Sequence, residues 1–99
     1  MSYHIRFTPE AKSDVERLYR LLVKRDPRAA ERALEIIERG WSCLEEFHFS
    51  CRQADHEHRL LRELIIPFGG AGYVALFEIN DHQTVTILAI RHQREDDYP

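Results

Sequence analysis

The spacing of apolar residues changes twice along the chain. At the N-terminus Tyr3, Ile5 and Phe7 alternate with His4 and Arg6, the period of a short strand with one buried face. From Ala11 the spacing lengthens. Ala11, Val15, Leu18 and Leu22 recur at intervals of four, three and four, with Tyr19 and Leu21 beside them, and predict an amphipathic helix from about Pro9 to Lys24. Lys12, Asp14, Glu16, Arg17 and Arg20 fall mostly on the other side and are expected to be solvated. Thr8-Pro9 marks the helix start: the hydroxyl can cap free backbone amides, and proline at the first position gives up an amide that had no partner. Asp26-Pro27 repeats the signal. A second helix is predicted from about Pro27 to Glu46 or Phe47, with Ala30, Ala33, Leu34, Ile37, Trp41 and Leu44 as its stripe and Phe47 and His48 extending it. Gly40 costs roughly 1 kcal/mol relative to alanine in a helix, which points to close packing at that position. Helices joined by two or three residues must run nearly antiparallel.

After the helices come mostly aliphatic runs, the last rich in β-branched residues, which fit a pleated, half-buried surface. Leu60–Phe68, Tyr73–Ile79 and Thr84–Ile90 read as strands, separated by the turns Gly69–Gly72 and Asn80–Gln83. Two hairpins in series make an antiparallel meander. The last strand then delivers the charged stretch Arg91–Tyr98 to the sheet edge, where function is expected. Between helices and meander, Phe49–Arg59 is polar and aperiodic, the signature of a mobile loop. The order is β-α-α-β-β-β. It implies an α+β fold with the helical hairpin packed on a small, mainly antiparallel sheet. Tyr3–Phe7 is expected to join the meander as a fourth strand, leaving the other sheet face, or a groove along it, open.

Composition narrows this picture without redirecting it. The 99 residues are expected to form a single domain spanning residues 1–99. No apolar run approaches the ~20 residues of a membrane span. The N-terminus lacks a signal-peptide core, so a cytoplasmic protein with no membrane partner is expected. A net charge of −3 argues against bulk attraction to nucleic acid but leaves room for a local basic patch. Two cysteines are too few for a disulfide scaffold, so reduced thiols are expected, with Cys43 facing the core. Cys43, His48, Cys51, His56 and His58 lack compact zinc spacing, and neither a metal nor a cofactor is expected. The Gly69-Gly70-Ala71-Gly72 turn follows a strand, but no helix or Lys-Ser/Thr follows it, so it reads as a hairpin turn rather than a phosphate loop. Trp41 and Tyr19 read as core residues.

Three stretches carry a resemblance: Arg62-Glu63-Leu64-Ile65-Ile66-Pro67-Phe68-Gly69, Gly72-Tyr73-Val74-Ala75-Leu76-Phe77, and Leu88-Ala89-Ile90-Arg91-His92-Gln93-Arg94-Glu95 with Tyr98. With the element order, they make the chain resemble the RelE/ParE superfamily of small toxins from type II toxin–antitoxin modules, in its ParE-like branch. The resemblance implies a growth-inhibiting toxin neutralised by a cognate antitoxin. The C-terminal half of such antitoxins folds on the toxin, covering part of the helix surface and the sheet face or edge. It also implies one of two targets. ParE-type members poison DNA gyrase; RelE-type members cut mRNA on the ribosome.

RelE-type members use lysines on the strand before the glycine turn, an arginine after the Gly-Tyr pair, and a C-terminal tyrosine, sometimes with a histidine. Here that strand carries Leu64, Ile65, Ile66 and Pro67, and the residue after Gly72-Tyr73 is Val74. The residues left for RNA cleavage are Arg62, Arg91, His92, Arg94 and Tyr98. Gyrase inhibition asks for no chemistry in this chain, because gyrase itself breaks the DNA; the helical hairpin and the C-terminal basic cluster are then the candidate surfaces. Gyrase is therefore the favoured target, a ribosome-dependent endonuclease the alternative, and a non-toxic binding module the competing class. Arg62 and Glu63 should point to opposite strand faces. Their plain role is a cross-strand ion pair plus a solvated charge; their functional role would bring Arg62 beside Arg91 or Arg94 as an anion cluster.

Overall fold

The computed structural model describes residues 4–94. Its elements are β1 (His4–Phe7), α1 (Pro9–Val23), α2 (Pro27–Phe47), a 3-10 turn at His48–Ser50, β2 (Arg52–Asp55), β3 (His58–Phe68), β4 (Ala71–Ile79) and β5 (Thr84–His92). Both helices start at the predicted caps. The Thr8 hydroxyl accepts from the Ala11 N–H at 3.0 Å. The Asp26 carboxylate accepts from Arg28 and Ala29 at 3.1 and 3.2 Å.

The strands form one sheet in the order β1-β5-β4-β3-β2. β3, β4 and β5 are the predicted meander, and β1 joins it beside β5, in parallel. The sheet has a fifth strand because the stretch expected to be a loop is ordered as a hairpin. β2 pairs antiparallel with the start of β3, Arg52 opposite Glu63. All four β2 residues are exposed, so no apolar alternation marked it. Backbone pairing holds it, helped by an Arg52–Glu63 ion pair at 3.0 Å.

Side-chain alternation assigns each strand two faces. Ile66, Tyr73, Ala75, Phe77, Ile79, Val85, Ile87 and Ile90 share a core with Ala11, Leu18, Ala33, Ile37 and Leu44 of the helices. Phe7 meets Trp41 edge to face at 5.4 Å, as expected of a core tryptophan. Gly40 lets α2 press onto β3: a Cβ there would lie 3.1 Å from Leu64 Cδ2 and 3.2 Å from Ile66 Cδ1. The opposite face of the central strands carries Leu61, Glu63, Ile65, Val74, Leu76, Glu78, Thr86, Ala89 and Arg91.

Asp14 departs from the sequence reading. It is 5% exposed rather than solvated. β1 ends opposite Ile87, so the edge of β5 beyond that point has no strand beside it. The start of α1 supplies the missing partners. Thr8 N–H donates to Ile87 O at 3.0 Å, the Thr8 hydroxyl donates to Leu88 O at 3.1 Å, and the Asp14 carboxylate accepts from Ile90 N–H at 2.9 Å. The same segment of β5 shifts register against β4, between Leu76 and Phe77. Cys43 departs too: it is exposed rather than core-facing, and both cysteines are free thiols.

Candidate functional site

The basic residues on β3 and β5 are separated by strand geometry. Arg62 is opposite Phe77, and Arg91 is opposite Val74, three residues further along. That offset, with two strand spacings between them, puts their backbones roughly 14 Å apart. Alternation also turns them to opposite faces. Arg62 is committed locally: its Nε donates to Arg59 O at 2.7 Å and a terminal nitrogen donates to Cys51 O at 2.9 Å. It ties the start of β3 to the turn after α2 and does not join Arg91 or Arg94. Glu63 makes the predicted cross-strand pair, with Arg52.

His92 and Arg94 lie together at the far end of β5. Arg94 N–H donates to His92 Nδ1 at 3.1 Å, which makes that nitrogen an acceptor and leaves Nε2 to carry the ring proton. Gln93 N–H donates to Gly72 O at 2.9 Å, closing the end of the β4–β5 pair. Arg91 faces away from both, on the outer sheet face, with a terminal nitrogen 3.3 Å from His92 O. Tyr98 lies outside the described residues.

Beside His92 the structure opens a cleft of about 570 Å³ between the C-terminal half of α1 and the β3–β4 hairpin. Aromatic rings form one wall. Phe68 and Tyr73 stack with centroids 6.0 Å apart, and Tyr73 meets His92 edge to face at 5.7 Å. Burial raises the Tyr73 hydroxyl pKa above its ordinary value, so the phenol stays neutral at physiological pH. Leu18, Leu21 and Leu22 of α1 form the facing wall, with Arg17, Arg25 and Arg94 at the margins. The two surfaces expected from the sequence, helical hairpin and C-terminal basic cluster, thus meet in one place. Arg17, Arg25, Phe68 and Tyr73 were not singled out by sequence reasoning as functional. Only folding brings their three segments, α1 with its closing turn, β3 and β4, together.

Among the described residues no group of three or more His, Cys, Asp or Glu side chains is placed to hold a metal ion. Asp55, His56, Glu57 and His58 form the exposed β2–β3 turn. There Asp55 accepts from Glu57 N–H at 3.0 Å and contacts His58 Nδ1 at 2.9 Å, and these bonds lower its pKa. Cys51 is half-buried. Desolvation pushes its thiol up to about 11, with Cys43 adding to the shift and Arg62 opposing it. Cys51 thus lacks the depressed pKa of a nucleophile. No helix among the described residues is long and apolar enough to cross a membrane.

The chain is similar to known proteins in sequence and in fold. A model of the ParE toxin family of type II (parDE) toxin–antitoxin systems matches residues 5–97. Toxin RelE3 of Caulobacter vibrioides is 33% identical over 88 residues, covering 88% of this chain and 90% of that protein. Toxin RelE1 of the same organism is 34% identical over 79 residues, covering 80% and 82%. Among solved structures, a chain of the chromosomal ParDE system from P. aeruginosa superposes with a TM-score of 0.73 at 20% identity, covering 92% of this chain and 96% of that one. A chain of the RelBE2 toxin–antitoxin complex from Mycobacterium tuberculosis gives 0.61 at 24% identity, covering 93% and 99%. Matched over nearly its whole length in sequence and in fold, the chain belongs to the ParE toxin family of type II toxin–antitoxin systems, within the RelE/ParE superfamily.

Proposed function

We propose that the chain halts growth in the cytoplasm by binding DNA gyrase and trapping its cleaved-DNA state, without chemistry of its own, and that a cognate antitoxin neutralises it. One observation carries the choice of target. RNA cleavage needs a base for the 2′-hydroxyl, a stabiliser of the phosphorane and a proton donor for the leaving oxygen, all converging on one phosphate. Among the described residues the candidates for those roles diverge. Arg62 is held by backbone carbonyls at one end of β3, Arg91 is on the outer face, and His92 and Arg94 are on the helix side of β5. The outer face mixes Leu61, Ile65, Val74, Leu76 and Ala89 with Glu63, Glu78 and Arg91, and Arg6 and Arg52 share it on the edge strands, with Arg52 paired to Glu63. A mixed sheet face and a basic, aromatic cleft suit the binding of a protein target better than the cutting of a phosphodiester.

A second reading keeps a specific observation behind it. His92 and Arg94 share one cleft, and two relatives carry RelE names. Ribosome-dependent mRNA cleavage would use that pair. Purified gyrase with supercoiled plasmid, run beside a translation reaction analysed by primer extension, separates the two. Linear DNA held by gyrase with intact mRNA supports the proposal; cut mRNA with unaffected gyrase supports the second reading.

A further inference from the structure

The outer edge of β3 is open where β2 ends. β2 stands beside β3 only between His58 and Glu63. Over residues 64–68 the only described strand beside β3 is β4. The direction of the backbone on that open edge follows from the end of the β4–β5 pair. Gln93 N–H donates to Gly72 O at 2.9 Å, so the Gly72 carbonyl points at β5 and away from β3. Gly72 stands opposite Pro67. Pro67 therefore belongs to a non-hydrogen-bonded pair and turns its own backbone outward, as does Ile65 two residues before it. The edge thus offers Ile65 N–H, Ile65 O and Pro67 O, with a proline ring where a second donor would stand. Its side chains suit pairing. Leu64-Ile65-Ile66-Pro67-Phe68 carries no charge, and Ile65 is 39% exposed. Apart from the proline, the run has the apolar, β-branched make-up of a self-pairing strand.

We infer that Pro67 keeps the chain from associating with copies of itself through this edge. Two identical edges pair antiparallel about a two-fold axis, so the residue on the axis fixes the register. With Ile66 on the axis, Ile65 of one copy faces Pro67 of the other. Ile65 N–H can then donate to Pro67 O, but Ile65 O meets the proline ring instead of an N–H. With Ile65 on the axis, Pro67 faces Glu63, whose outer side is already filled by Arg52 of β2. With Pro67 on the axis, two prolines face each other and neither donates. The rest of this edge is β2 itself, whose four exposed residues include Arg52 and Asp55, with a register shift between Gln53 and Asp55. Charge and a bulge discourage pairing there. Pro67 does the same for the uncharged stretch that follows, whichever target the toxin acts on.

The test compares the purified full chain as wild type, Pro67→Thr and the double variant Ile65→Lys/Pro67→Thr. Ile65 and Pro67 are exposed, and circular dichroism verifies that each variant is folded. Light scattering behind a sizing column gives the mass, and hydrogen exchange gives the protection of the Ile65 amide. The wild type should run as one chain with a readily exchanging Ile65 amide. Threonine supplies the missing N–H and favours a strand, so Pro67→Thr should raise the mean mass about twofold or more as concentration rises. Exchange of its Ile65 amide should slow by about tenfold or more. The double variant sets like charges beside the axis and should return to one chain. A folded Pro67→Thr that stays a single chain over the same concentrations would overturn the inference. So would association that leaves Ile65 exchange unchanged or persists in the double variant, because the contact would then lie elsewhere. A wild type that already self-associates with its Ile65 amide protected would overturn it as well.

Discussion

Asp14→Ala should destabilise the fold more than any substitution at the other charged residues of α1. The carboxylate is 5% exposed and accepts the Ile90 N–H at 2.9 Å. Alanine leaves that amide buried beside a helix that can offer it nothing else. A charge-assisted bond contributes about 1.5–3 kcal/mol, and an orphaned buried donor costs about 1–3 kcal/mol, two views of the same loss. A net destabilisation of about 2–3 kcal/mol is therefore expected, a large share of the ~5–15 kcal/mol that holds a domain together. For a chain of this size that lowers the melting temperature by roughly 10–20 °C. Asp14→Asn keeps an oxygen acceptor and should lose only about 1 kcal/mol. Thr8→Ala removes a helix cap and the bond to Leu88 O, and should cost about 1–2 kcal/mol. Thr8 and Asp14 hold one stretch of β5, so the double variant should depart from additivity by about 0.5 kcal/mol or more. Urea unfolding followed by circular dichroism measures all four variants beside the wild type, with an unchanged m-value showing that stability alone has moved. An Asp14→Ala midpoint within about 0.5 kcal/mol of wild type would refute the reasoning, because the Ile90 amide would then have found another partner.

Three further outcomes follow from other parts of the structure. Gly72→Ala should destabilise by about 2 kcal/mol or more in the same unfolding assay, since a Cβ there would sit 2.2 Å from Ile66 O in the backbone of β3; wild-type stability would contradict the close approach. Maleimide at pH 8 should label exposed Cys43 first and reach Cys51, with its pKa near 11, chiefly after unfolding; equal rates in the native state would contradict the burial. Bonds from Glu57 N–H and His58 lower the Asp55 pKa below its ordinary 3.8, so the β2–β3 turn gains support above that value and loses it as pH falls through the lowered pKa. Protection of the Glu57 amide from hydrogen exchange should therefore be lost on that acid limb, and Asp55→Asn should flatten the dependence; an unchanged profile in the variant would assign the effect elsewhere.

The parts of the fold written in local chemistry were legible. Thr8-Pro9 and Asp26-Pro27 state where the helices begin, because capping is decided within four residues. The three long strands announce themselves as aliphatic and β-branched runs bounded by glycine and polar turns, and their observed ends lie within two residues of the predicted ones. What escaped is what only a neighbour distant in sequence decides. β2 has four exposed residues and is a strand because β3 offers it a backbone edge. Asp14 is indistinguishable in sequence from Glu16 or Glu10; its burial follows from β1 stopping short on β5. The candidate site was half legible. His92 and Arg94 were named, but their partners Arg17, Arg25, Phe68 and Tyr73 come from three other segments with no motif to join them. Arg62 is a candidate because it is among the cations left when the strand before the glycine turn carries no lysine; its hydrogen bonds to Cys51 O and Arg59 O depend on a fold contact that the sequence does not spell out.

The deciding question is whether this chain acts by binding or by cutting. The direct measurement is gyrase-mediated cleavage of supercoiled plasmid by the purified toxin, with Arg91→Ala and His92→Gln variants beside it and translated mRNA mapped in parallel. Action by binding predicts gyrase-bound double-strand breaks, intact mRNA, and a His92→Gln variant that still traps gyrase to a substantial degree. Breaks absent from the DNA and present in the mRNA, and abolished by His92→Gln, would contradict it.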